Sequence, residues 1–362
     1  MRYHNRSFDD LKTCAKSREE LEKLEKAYLL SKKLFKNKQS VLQHQLNTAF
    51  IIAELNLDID TITAALLHEC IYEVPESEEE IAKLFGKEIA SIVKEIAKLK
   101  HVKKSNANSL DYKALAKVIL GVAQDIRSLI VELASQLDKM RFIKKRLQNE
   151  QIMLAKLVMN VYAPICHKLG LYEIEWELQD LAFKKLNYSE YEKIKAFVNE
   201  KRHERERKVE MAKNKISKLL EKHGLRVFIQ ARAKNFYSIY KKMREQNKDF
   251  NSIYDLLGIR VICNSIEDCY RALSIIHMHY APTGKFYDYI ARPKENNYRS
   301  IHTVVDWHGN FLEVQIRTWE MHRDAEEGLA AHWRYKNVEQ DKYFDKKLSW
   351  AKQLVELQRT IK

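Results

Sequence analysis

Glycine and proline are scarce in this chain, 8 and 4 among 362 residues. With so few residues that set tight turns or break helices, a mainly helical protein with few tight turns is expected. Long apolar runs are missing too, since no segment approaches the roughly 20 apolar residues that a helical membrane span needs. Nor does the N-terminus carry the basic-then-apolar pattern of a secretory signal. Cys14, Cys70, Cys166, Cys263 and Cys269 are odd in number, scattered and without CxxC spacing. That pattern argues against a structural zinc site, and reduced thiols in a cytoplasmic protein are expected.

Charge, in contrast, is abundant. Lysine and arginine total 64 against 50 acidic residues, a net charge of +14. The partner implied is anionic: nucleic acid, nucleotides or an acidic surface, among which charge alone does not choose. With 45% hydrophobic residues and 31% charged, the chain reads as soluble, globular and about two domains long.

The first half reads as helix after helix. Apolar residues recur at helical spacing from Leu21 to Leu34 and again from Ser40 to Leu57, where His44 lies near the start. Asp60 is expected to cap a helix from Thr61 to Val74 that carries His68-Glu69 and ends at Pro75. Further helices are expected over 79–98, 110–145 and 151–169, with an interruption around Tyr162 to Gly170. Ser189 is expected to cap a long charged helix that stops at Gly224, read as a solvated connector. A His on one helix, His plus acid on the next and a later acid outline a metal-dependent phosphohydrolase of the HD type. Where that type has Ala-Asp-Arg, this chain has Ala134-Ser135-Gln136, and serine supplies no carboxylate. His44 and His68 are therefore read as ordinary helix residues or relics of a site.

After Gly224 strands and helices interleave, which implies a second domain around a mixed sheet. Two β-type segments, Ser300 to Trp307 and Phe311 to Thr318, flank His308-Gly309-Asn310 as in a hairpin. Period two puts Glu313, Gln315 and Arg317 on one face and Leu312, Val314 and Ile316 on the other. On its own, such a polar row is a solvated strand face. Its neighbours suggest more: Lys294, Asn296, Tyr298 and Arg299 precede it, Asp255 lies just ahead of an earlier strand, and His322, Glu326 and His332 follow on a helix. Ser238, the amides at the start of its helix, Lys234 and Lys242 together suggest an anion cradle.

The order of these segments resembles the long RelA/SpoT homologues, bacterial synthetases and hydrolases of the alarmones ppGpp and pppGpp. The likeness is carried by Arg232-Ala-Lys234-Asn-Phe-Tyr237-Ser238-Ile-Tyr-Lys-Lys242-Met, Asp255-Leu-Leu-Gly-Ile-Arg260, Lys294-Glu-Asn296-Asn-Tyr298-Arg-Ser-Ile-His302-Thr, Glu313-Val-Gln315-Ile-Arg317-Thr and Ala325-Glu326-Glu-Gly-Leu-Ala-Ala-His332. It implies an α+β chain: an all-α HD-type domain over residues 1–195, a nucleotidyltransferase-like α/β synthetase domain over 196–340, and a C-terminal helix over 341–362. By the same resemblance, pyrophosphate passes from ATP to the 3′ hydroxyl of GTP or GDP. Asp255 and Glu313 would hold Mg²⁺, with Mn²⁺ also open, and Glu313 would accept the hydroxyl proton. ATP would meet Arg232, Lys234, Ser238, Lys242 and Arg260. Guanine would stack on Tyr298, with Lys294, Asn296, His302, Gln315 and Arg317 filling the rest of the pocket. A homo-oligomer is compatible with the resemblance, and ribosome or tRNA contacts are expected only through domains this sequence does not contain.

Several phrases depart from the family pattern. Its Gly-Arg-Pro-Lys is Ala231-Arg232-Ala233-Lys234 here, and its Asn-Gly-Tyr-Gln-Ser is Asn296-Asn297-Tyr298-Arg299-Ser300. Lys285-Phe286-Tyr287-Asp288 matches neither the two-activity nor the synthesis-only form. In the helical half, the His-Asp and Glu-Asp of the family become His68-Glu69 and Tyr72-Glu73, alongside Ser135. A synthetase with a degenerate, non-hydrolytic HD domain is expected, although a shifted alignment would recruit Asp138 as the missing acid. The alternatives are a hydrolase with an unusual Mn²⁺ site that includes Glu69, and a catalytically dead guanosine-nucleotide- or RNA-binding regulator.

Overall fold

The computed structural model describes residues 7–105, 111–200, 202–231, 235–246, 257–294 and 296–327. They form two compact units, one ending at Ala182 and one beginning at Phe183. The first is all helix: α1 (Phe8–Lys12), α2 (Arg18–Leu34), α3 (Gln39–Glu54), α4 (Ile59–Leu67), α5 (Cys70–Glu73), α6 (Ser77–Ser105, kinked at Gly86), α7 (Tyr112–Val122), α8 (Ile126–Arg141), α9 (Gln148–Leu157), α10 (Ala163–Leu169) and α11 (Tyr172–Leu186), whose last residues, from Phe183, belong to the second. Helix α8 is its axis, buried almost without interruption from Ile126 to Asp138 and packed on α3, α4 and α6.

Several boundaries differ from the sequence reading, among them the helix expected from Thr61 to Val74, which ends at His68 and resumes as α5. The cap of α4 is Asp58, whose side chain accepts from the Thr61 amide at 2.9 Å. The helix already begins at Ile59, so Asp60 lies inside its first turn and is not the cap. Asp60 instead meets Lys23 Nζ at 2.8 Å. The helix expected over 110–145 is two, because Asp125 starts α8 by accepting from the Arg127 amide at 2.9 Å. Gly121 lies one residue before the end of α7, inside its last turn. Conversely, Tyr162 to Gly170 does not interrupt the pattern. A π turn over Val158–Tyr162 joins α9 to α10 and loosens the hydrogen-bond ladder just ahead of Pro164.

The second unit contains α12 (Tyr188–Glu200), α13 (Arg202–Lys222), β1 (Phe228–Ala231), α14 (Phe236–Gln246), β2 (Leu257–Cys263), α15 (Ile266–His279), β3 (Pro282–Asp288), β4 (Ile301–Trp307), β5 (Asn310–Thr318) and α16 (Trp319–Glu327). Ser189 lies inside α12 rather than capping a helix, since α12 already begins at Tyr188. The sheet has the order β1-β2-β5-β4-β3, with β2 and β5 parallel and the other pairs antiparallel. Helix α13 is no solvated connector. Val209, Ala212, Ile216 and Leu220 form a buried stripe that joins Ile259 and Val261 of β2 and Val314 and Ile316 of β5 in one core. The stripe keeps the three- and four-residue spacing of an amphipathic helix inside a run dominated by lysine, arginine and glutamate.

Candidate functional site

The hairpin β4–β5 turns at His308 and Gly309, both at positive φ (48° and 76°), with Trp307 paired to Asn310. Such a two-residue turn matches the natural twist of the strands and fixes the register. Ile316, Val314 and Leu312 accordingly face the core. The opposite face is not solvated. Glu313 is 9% exposed, and Gln315 and Arg317 are each 1% exposed. Burial follows from the chain doubling back: α16 leaves β5 at Thr318 and packs on β5 and β2.

Across the strands, Tyr287, His302, Gln315, Arg260 and Gln230 stand in one register row. Glu313 is paired with Val304 on one side and Gly258 on the other, so its β2 neighbour brings no side chain. Gln315 Nε2 donates to Glu313 Oε1 at 3.2 Å, and His302 Nδ1 lies 3.9 Å from that oxygen. The Tyr298 hydroxyl lies 2.8 Å from His302 Nε2, and the two rings meet edge-on. Lys294 Nζ sits 4.6 Å from the Tyr289 ring centre and 5.2 Å from that of Tyr298. Asn296 Oδ1 accepts from the Tyr298 amide at 3.3 Å, an Asx-type contact that sets the loop.

Beside this row, Glu326 Oε1 accepts from Arg260 Nη1 at 2.9 Å and from Arg317 Nη2 at 3.0 Å. Burial alone would raise the Glu326 carboxyl, but Arg260 and Arg317 outweigh it and hold the group below its ordinary value. Burial, reinforced by Arg260, brings Arg317 down to about 10. Arg317 Nη2 also donates to His322 Nδ1 at 2.6 Å, and burial together with Arg317 pushes His322 down to about 4. Ser238 and Lys242 lie on α14, which is packed through Phe236 against Tyr191 and through Tyr240 against Phe183 at ring distances of 5.3 and 4.6 Å. Arg232, Lys234, Asp255 and His332 lie outside the described residues, as does the expected helix over 341–362.

The structure thus brings together Glu313, Gln315, His302, Tyr298 and Lys294 in one group and Arg260 and Arg317 in an adjoining one. Sequence reasoning missed Tyr289 and the bridging role of Glu326. Helical spacing places Glu326 four residues after His322 on α16, but nothing local turns that face toward Arg260 and Arg317.

In the helical unit, His44 of α3, His68 at the end of α4 and Glu69 present ligand atoms within 4.8 Å of one another. The two histidine Nε2 atoms are 3.2 Å apart, and Glu69 Oε1 lies 3.4 Å from His44 Nε2 and 3.3 Å from His68 Nε2. Ser135 Oγ stands 3.1 Å from His44 Nε2. Asp138 meets His44 Nδ1 instead, at 2.5 Å, on the ring edge away from that convergence, so it orients the ring and does not complete the group. Lys100 Nζ takes Glu69 Oε2 at 2.7 Å, and Lys139 Nζ lies 3.6 Å from Oε1. Burial raises the Glu69 carboxyl, yet Lys100 and the two histidines carry it well below its ordinary value. Burial and then Lys100 lower His68 to about 4. Among the described donors a divalent ion would find one carboxylate, already shared by two ammonium groups, and a neutral hydroxyl where a second carboxylate is required. The arrangement keeps the ligand geometry but not the ligand charge, and we judge that it does not fit the ion.

Residues 231–340 match the family described as the region found in RelA and SpoT proteins, and residues 22–172 match an HD domain. The chain belongs to the RelA/SpoT family. It is 38% identical over 343 residues to a guanosine-3′,5′-bis(diphosphate) 3′-pyrophosphohydrolase of Aquifex aeolicus, covering 92% of this chain and 49% of that protein. It is 37% identical over 357 residues to a GTP pyrophosphokinase of Myxococcus xanthus, covering 95% and 47%. The chain therefore spans about half the length of these curated relatives. Among solved structures, the small alarmone synthetase 1 of Bacillus subtilis bound to its product pppGpp aligns with 25% identity and a TM-score of 0.30, over 43% of this chain and 92% of that one. Within this RelA/SpoT chain, Asn297 stands where the family pattern has glycine and adopts φ +58°, a left-handed conformation that asparagine tolerates better than other side chains. The departure therefore keeps the turn. Lys285 to Asp288 falls on β3, the edge strand, where Tyr270 donates its hydroxyl to Asp288 at 2.9 Å.

Proposed function

We propose that the chain is a (p)ppGpp synthetase. The 3′ oxygen of GTP or GDP attacks the β-phosphorus of ATP, the bond from that phosphorus to the α,β-bridging oxygen breaks, and AMP leaves. The hydroxyl proton passes to Glu313. The observation that carries this reading is the buried row on β5, where a carboxylate, an amide and a guanidinium are sequestered from water on a face that would otherwise be solvated. A buried acid beside His302 and Tyr298 suits proton acceptance from a positioned hydroxyl. Tyr298 offers its ring to guanine, with Lys294 over it. Lys242 and Ser238, with Arg232 and Lys234, neutralise the ATP phosphates; positioning and charge supply most of the catalysis in phosphoryl transfer. Mg²⁺ held by Asp255 and Glu313 would draw charge from the transferred group when bound.

Purified protein given ATP, GDP or GTP, and Mg²⁺ is expected to produce AMP and a 3′-pyrophosphorylated guanosine nucleotide. Glu313→Gln is expected to reduce the rate by about 10²-fold or more. No AMP with either Mg²⁺ or Mn²⁺ would sink the proposal. A second reading, ppGpp hydrolysis in the helical unit, draws on the convergence of His44, His68 and Glu69 and is opposed by Ser135 and the two lysines. Pyrophosphate release from ppGpp with Mn²⁺, lost in His68→Ala, would establish it.

A further inference from the structure

We propose that the helical unit holds a metal-free charge cluster where its fold would otherwise hold a divalent ion, with Lys100 and Lys139 supplying at Glu69 the positive charge of the missing ion. His68 Nδ1 donates to the Ala65 carbonyl at 2.7 Å, which turns its Nε2 lone pair toward His44 and Glu69. Three ligand-type atoms therefore face one another. Such a convergence needs a positive counterpart, and the chain provides it from its own residues. Lys100, whose side chain is 4% exposed, reaches from α6 to Glu69 Oε2, donates to the His68 carbonyl at 3.1 Å, and rests 5.5 Å from the Tyr72 ring centre. Lys139 approaches the other carboxylate oxygen from α8. Glu132 on α8 also attracts Lys100. The neighbouring acid Glu73 is engaged as well, by Lys38 Nζ at 2.7 Å. The cluster thereby ties α3, α4, α6 and α8 together. An ion placed among the three ligand atoms would lie beside two fixed ammonium groups, and that repulsion weakens binding well over tenfold.

Lys100 sits where the apolar stripe of α6 calls for a hydrophobe, four residues after Ile96 and eight after Ile92, both buried. A buried cation on that stripe has a partner to meet, and the partner is Glu69. The inference rests on the reading of the helical unit as non-hydrolytic and concerns that unit alone, so failure of the synthesis assay would leave it untouched.

The test is calorimetric titration of the full chain with MnCl₂, beside His68→Ala to isolate binding at this cluster, and thermal unfolding of the same samples with and without Mn²⁺. The wild-type protein is expected to show no His68-dependent heat and no His68-dependent rise in Tm. Lys100→Met combined with Ser135→Asp removes the nearer of the two ammonium groups at Glu69 and adds a second carboxylate. It is expected to gain a His68-dependent Mn²⁺ site at least about tenfold tighter than any in the wild type, with a Tm that Mn²⁺ raises. Lys139→Asn, at a partly exposed position, is expected to move in the same direction by less. Stoichiometric Mn²⁺ binding to the wild type that disappears in His68→Ala overturns the proposal. So does a folded Lys100→Met/Ser135→Asp protein that still takes up no Mn²⁺.

Discussion

Glu326 sets one carboxylate against two guanidinium groups, and Arg317 has 1% and Glu326 28% of its side chain exposed. Glu326→Ala would strand both arginines in a dry environment. We expect a loss of about 2–3 kcal/mol, below the full cost of breaking a buried pair because the carboxylate is partly solvated, read from the urea midpoint. His322 lies against the same arginine and titrates far below its ordinary 6.5, at about 4. Between those values the unfolded chain binds a proton that the folded chain refuses, so this contribution is complete above pH 6.5 and is lost as pH falls toward 4. His322→Gln, which keeps an acceptor for Arg317 and removes the titration, is expected to lose less stability across that window than the wild type. Glu326, held below its ordinary value, extends the loss to lower pH. At this scale the sequence offered residue types and little about their pairing. Period two put Glu313, Gln315 and Arg317 on one face, yet their burial depends on α16 folding back, which no pattern within the strand contains.

At the scale of elements, the β4–β5 turn and the α13 stripe carry most of the second unit's architecture. A methyl group added at Gly309 would enter open space, while φ there is +76°, so Gly309→Ala tests backbone strain alone. The expected cost is about 1 kcal/mol, with synthesis activity falling no further than the folded fraction does. Ile216, fully buried between α13 and the sheet, is the opposite case. Ile216→Ala is expected to cost about 3 kcal/mol in thermal or urea unfolding, through lost contact and the cavity left behind. The hairpin was legible because alternation and a His-Gly turn are both local signals. The stripe of α13 was hidden by the charges around it, although the spacing of Val209, Ala212, Ile216 and Leu220 was intact. The break between α7 and α8 was hidden for another reason: Gly121 lies inside the last turn of α7, where a helix tolerates it, and a single capping aspartate starts the second helix.

For the whole molecule, charge and topology act together. A net charge of +14 draws anions toward the protein, and salt screens that attraction over roughly 10 Å at 0.1 M. The kcat/KM of synthesis is therefore expected to fall as KCl rises, with kcat changing less; a rate constant indifferent to salt would count against steering. Composition, periodicity and motif order by themselves determined a helical half, a mixed-sheet half and the residues that resemble a synthetase, because those are properties of neighbours along the chain. Only the tertiary structure decided which charges face each other. It buried the polar row of β5, joined Arg260 and Arg317 through Glu326 across two strands and a helix, and brought Lys100 of α6 and Lys139 of α8 onto Glu69. These contacts join residues far apart in the chain or brought together by its reversal, and a charge's partner at such range is set by how helices and strands pack, not by the spacing of residues along them.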